Sequence, residues 1–69
     1  MSKRPPVQTL GQITRSRILF ALRQAERQLN AFEITDAVRG ISAEQIAVQL
    51  AVLSRDGKIV QDGGKWGMA

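Results

Sequence analysis

The chain contains no cysteine and no histidine in its 69 residues. That excludes disulfides, zinc-finger ligand sets of Cys and His, thiol or imidazole nucleophiles, and histidine acid–base catalysis. No other grouping of catalytic side chains stands out, so the expectation is a protein without enzymatic activity, cofactor or metal. Aromatic residues are scarce too. Phe20, Phe32 and Trp66 are too few for the successive stacking platforms that single-stranded nucleic acid needs, so Trp66 reads as a packing anchor. Apolar runs are short: the longest, Ile18 to Leu22, falls far below the roughly 20 residues that span a bilayer. The opening MSKRPPVQTL carries cations but no apolar segment of signal-peptide length, so a soluble, cytoplasmic protein with no membrane partner is expected. The glycine-containing DGGKWG neither opens a helix nor ends in Lys-Ser/Thr, which argues against a phosphate-cradling loop.

What is present suits one small domain, since 43% hydrophobic content in a chain of this length supports a single modest core. Ten Lys and Arg against six Asp and Glu give a net charge of +4, which favours a polyanionic partner but also serves plain solubility. Placement of the cations has to decide between the two.

Residues 1–8, with Lys3, Arg4 and two prolines, read as a flexible basic arm, and residues 9–69 as the folded domain. Helical periodicity runs from Leu10 to Leu29, with Ile18, Leu22, Ala25 and Leu29 on one stripe. Thr9 with Gln12 fits a capping box, and Thr14 is a rival N-cap. Ile13 and Phe20 fall on the opposite side of this helix. Either Val7 or Leu10 folds back over them, or they form a homodimer seam. Asn30 and Glu33 make a second capping box for a short helix that carries Ile34 and Val38 inward and stops at Gly40. Ser42 and Gln45 make a third, opening a helix that runs to about Arg55 with Ile46, Leu50 and Leu53 inward, ended by Asp56-Gly57. Two helices joined by so brief a connection form a helix-turn-helix. Beyond it the period changes. Ile59 to Gln61 and Lys65 to Met68 flank DGG as a two-stranded hairpin, which needs Ile59, Trp66 and Met68 to pack on the helices. The predicted core is Ile18, Leu22, Leu29, Ile34, Val38, Ile46, Leu50, Leu53, Ile59 and Trp66, with Leu50 central.

This order of elements, a mainly α fold of three helices with a small β-hairpin, resembles the winged helix-turn-helix superfamily of small bacterial or phage-type regulators. Ser42, Ile46, Leu50, Leu53, Gly57 and Ile59 fall in the pattern S-x3-[IV]-x3-L-x2-L-x3-G-x-I, which is similar to the third helix and first wing strand of such proteins. The resemblance extends from Ile13 to Met68 and departs in the VRGIS turn, a residue longer than the common form. It implies duplex DNA binding and transcriptional regulation, with helix 42–55 in the major groove and hairpin 58–68 as the wing.

Fold alone does not give function, and the chemistry of that helix permits two readings. With the core row inward, its outer face is small, apolar and nearly neutral. Entering a major groove, Ser42, Glu44, Gln45, Ala47, Val48 and Gln49 would meet base edges, including thymine methyls and adenine edges. Phosphates would then fall to Lys3, Arg4, Arg15, Arg17, Arg39, Arg55, Lys58 and Lys65, which follows the usual division between positioning and specifying contacts. The alternative is a protein-interaction module, an adaptor or inhibitor, whose interface is the patch of Ala47, Val48, Ala51 and Val52 on this helix; Ile13 and Phe20 would supply the homodimer contact.

Overall fold

The computed structural model describes residues 9–69, so the expectations for the arm, including Lys3, Arg4 and Val7, lie outside the described residues. The elements follow in the order α1 (Leu10–Ala25), β1 (Leu29–Asn30), α2 (Ala31–Ala37), α3 (Ala43–Arg55), β2 (Ile59–Asp62) and β3 (Lys65–Met68). This is the mainly helical fold with a C-terminal hairpin that the periodicity predicts.

Helix starts obey side-chain chemistry. Thr9 caps α1: the Gln12 amide N–H donates to Thr9 Oγ1 at 3.2 Å, and the Thr9 N–H donates to Gln12 Oε1 at 2.8 Å. Thr14 is no cap. It lies buried in the helix, where its hydroxyl donates to the Leu10 carbonyl at 2.7 Å. Asn30 and Glu33 close the second box with bonds of 2.8 and 3.0 Å. Ser42 accepts from the Gln45 N–H at 3.2 Å, but the Gln45 side chain does not reach back to the Ser42 N–H, so the third start is a simple N-cap and not the expected box.

Helix ends depart further from expectation. α1 stops at Ala25 because Glu26 turns into the left-handed region at φ 54°, so Leu29 leaves the helix and enters a strand that periodicity had hidden. α2 ends at Ala37, with Gly40 in the following turn at φ 83°. α3 ends in a Schellman closure, in which the Lys58 N–H reaches the Leu53 carbonyl at 3.0 Å and the Gly57 N–H reaches Ser54 at 3.1 Å. Gly57 stands at φ 74°, a conformation that penalises any Cβ, and this is the physical content of the glycine in the motif.

β3 is the central strand of an antiparallel sheet ordered β1-β3-β2. Leu29 faces Trp66 on one side of it, and Ile59 faces Met68 on the other. Gly63 and Gly64 both have positive φ and make the two-residue turn between Asp62 and Lys65. Ile18, Leu22, Leu29, Ile34, Val38, Ile46, Leu50, Leu53 and Ile59 are buried in one cluster. Trp66 is only half-buried against it, and Met68, expected to pack inward, is exposed.

Candidate nucleic-acid interface

α3 presents Ser42, Glu44, Ala47, Val48, Ala51 and Arg55 to solvent, with Gln45 and Val52 half-buried. Gln49 is a correction. It lies three residues after Ile46 and four before Leu53, on the inner side of the helix, and is buried there. Its carbonyl oxygen accepts a 2.7 Å hydrogen bond from Arg15 Nη1 of α1, so it is not an open base-reading amide. Gly11 makes room for it, since a Cβ at that position would stand 3.0 Å from Gln49 Nε2.

The same bond holds one cation, Arg15, on the α1 side of α3. Arg17 Nη1 donates to the Arg39 carbonyl at 3.3 Å, joining α1 to the turn that precedes α3. Arg15 and Lys58 line a shallow cleft with Gln12 and Asp56 near the other end of the helix. Arg17, Arg39 and Lys58 are exposed, and Arg15 is half-buried. Arg55 is exposed in the last turn, 3.9 Å from Asp56. Arg15, Arg17, Arg39, Arg55 and Lys58 are therefore gathered around one helix, although the sequence scatters them over more than 40 positions.

Lys65 stands apart. It precedes Trp66 next to the two-glycine turn, opposite both Asp62 and Asn30, whereas Lys58 lies at the far end of the hairpin. The two lysines expected to act together on the wing occupy its two ends. Near Lys65, the Glu33 carboxyl is held below the ordinary range, first by the Asn30 backbone N–H, then by the Arg27 guanidinium at 2.9 Å, with a smaller contribution from the charge of Lys65.

Two grooves flank α2. One, of about 550 Å³, lies between α2, α3 and the hairpin, and every residue lining it is uncharged, including Phe32, Ala47, Ala51 and Trp66. The other lies between α1 and α2 and includes Phe20 and Phe32. Ile13 lines neither groove and is half-buried, so Ile13 and Phe20 do not form one exposed seam, and Ala51 and Phe20 belong to separate surfaces. Phe32, 83% exposed, is a surface residue to which the sequence reading assigns no role. Its signal was available: two residues before the buried Ile34, it must point away from the core.

Among the described residues, no helix is long and apolar enough to cross a membrane. Comparison with protein-family models, with curated proteins and with solved structures gives no significant match, so the reading of these surfaces rests on their own geometry.

Proposed function

We propose that the protein binds duplex DNA through α3 as a small, cytoplasmic transcriptional regulator. The observation that supports this reading is the gathering of Arg15, Arg17, Arg39, Arg55 and Lys58 around a helix whose own exposed face is small and nearly neutral. Short side chains let a helix approach base edges closely, while surrounding cations take the phosphates. In this arrangement Ser42, Glu44, Gln45, Ala47 and Val48 face the bases. Arg17, Arg39, Arg55 and Lys58 hold the backbone, and Arg15 keeps its remaining guanidinium donors for a phosphate while one is spent on Gln49. A salt series of binding to random-sequence duplex tests this. Five neutralised phosphates give a logarithmic slope of about −4 to −5, and affinity independent of salt overturns the reading.

One observation favours a second reading, a protein-docking module. The uncharged groove beside α3, with Phe32 and Trp66 in its walls, is a surface that a polyanion gains little from touching. In that case duplex binding is absent, and Ala47→Glu or Ala51→Glu releases a protein partner in a pull-down.

A further inference from the structure

We infer that the groove between α1 and α2 is a self-association surface, filled by the corresponding groove and Phe20 of a second copy related by a two-fold axis. The inference does not rest on the DNA reading, although Arg17 serves in both.

The groove encloses about 880 Å³ and lies open between two phenylalanines, Phe20 of α1 and Phe32 of α2, which are 64% and 83% exposed. At roughly 200 Å² for a whole phenylalanine side chain, the two expose about 300 Å², already the size of the largest apolar patch on an ordinary monomer. Ala21, Ala25 and Ala37 are small residues along the same groove, so a ring-sized trough and a projecting ring sit side by side on one molecule. A surface with both the knob and the hole is complementary to itself, which is the requirement of an isologous contact.

Charge selects the same occupant. The α1 side of the groove carries Arg17 and, just past its end, Arg27; the α2 side carries Glu33 and Asp36, and since Arg27 and Glu33 bond to each other at 2.9 Å, Arg17 and Asp36 are the charges left to meet a partner. The rim is thus balanced in sign on a protein of net charge +4. A polyanion would meet the two acids and a basic partner the two arginines. A copy turned about a two-fold axis along the groove brings its Asp36 to Arg17 and receives the reverse contact in return, so the favourable pairing occurs twice. Area is consistent with this. Four phenylalanines supply about 600 Å² of the roughly 1,600 Å² that a standard interface buries, and the two helix flanks provide the remainder.

Sedimentation of the full chain without DNA, from about 1 µM to about 1 mM, tests the inference. The expected result is a monomer–dimer equilibrium in the micromolar range. Phe20→Glu and Phe32→Glu should each weaken it at least about ten-fold with far-UV circular dichroism unchanged, because both side chains are exposed. Arg17→Glu and Asp36→Arg should each weaken it too, and an equimolar mixture of those two variants should associate more tightly than either alone, since only the mixed pair restores opposite charges at both contacts. A wild-type protein that stays monomeric throughout leaves the groove to a foreign partner and overturns the proposal. A dimer indifferent to the phenylalanine substitutions places the contact elsewhere, and a mixture no tighter than its components rules out the two-fold pairing.

Discussion

A glutamine buried on the inner side of a helix must find partners for its amide, and Gln49 finds Arg15 at 2.7 Å across the α1–α3 contact. Hydrogen bonds to a charged group contribute about 1.5–3 kcal/mol, and a buried acceptor left without a donor costs about 1–3 kcal/mol. Arg15→Ala should therefore lower unfolding stability by about 1–3 kcal/mol. Gln49→Leu in that background should recover part of the loss, because it removes the orphaned carbonyl along with its absent partner. A urea-unfolding double-mutant cycle reads the coupling between the two positions, and a coupling near zero would mean that the bond contributes nothing. The spacing of Gln49 from Ile46 and Leu53 already placed it inward. Its polarity argued for an outward position, and only the partner from α1, 34 residues away, reconciles the two. Periodicity reports which way a side chain points, but it cannot report a polar partner from another helix.

Among the elements, helix starts are legible in the sequence, and helix ends only where a glycine marks them, as at α3. Thr9-Gln12 and Asn30-Glu33 are capping boxes in the sequence and in the structure, because a cap depends on residues three apart and on nothing distant. The end of α1 depends on Glu26 accepting φ 54°, with no glycine or proline to announce it, so Leu29 continued the apolar stripe and its strand stayed hidden. At α3 the glycine is present, and the end was read correctly. The cap of α2 also gives a pH dependence. Glu33, at its third position, has its carboxyl pKa lowered chiefly by the Asn30 N–H and by Arg27. A carboxyl whose pKa is lower in the folded than in the unfolded chain contributes stability that is present above the unfolded value and is lost as pH falls through the folded one. The urea midpoint of the wild type should thus drop between about pH 5 and pH 3 more steeply than that of Glu33→Gln, which can keep the cap but cannot titrate. Parallel pH profiles would show that the ionised form of Glu33 does not support the fold.

At the scale of the whole molecule, the net charge of +4 is unevenly spent. Arg27 is engaged by Glu33 at 2.9 Å, whereas Arg17, Arg39 and Lys58 are exposed, Lys58 in the cleft between α1 and the end of α3 and Arg17 bonded to the turn that precedes α3. Composition could give the charge but not this distribution, since it is assembled from α1, a turn and the end of α3 by packing alone. Lys58 and Lys65 then separate as a test of where a duplex would lie. The strand between them is about 13 Å long at 3.3 Å per residue, so one phosphate contact cannot serve both. If the backbone follows the α1 side of α3, Arg39→Glu and Lys58→Glu should each weaken binding to every duplex sequence and flatten the salt slope by about 1. Lys65→Glu should change the slope less, because that lysine sits at the opposite end of the hairpin, in the field of Glu33. Val48, half exposed on α3, should behave differently again. Its replacement by Ser should shift which sequences are preferred by about 1–3 kcal/mol per lost base contact, with affinity for random duplex nearly intact. Competition binding on a randomised duplex pool, repeated over a range of salt, separates the two effects. A slope that flattens more for Lys65→Glu than for Lys58→Glu would move the backbone contact to the hairpin tip, and a sequence preference indifferent to Val48 would take α3 out of the groove.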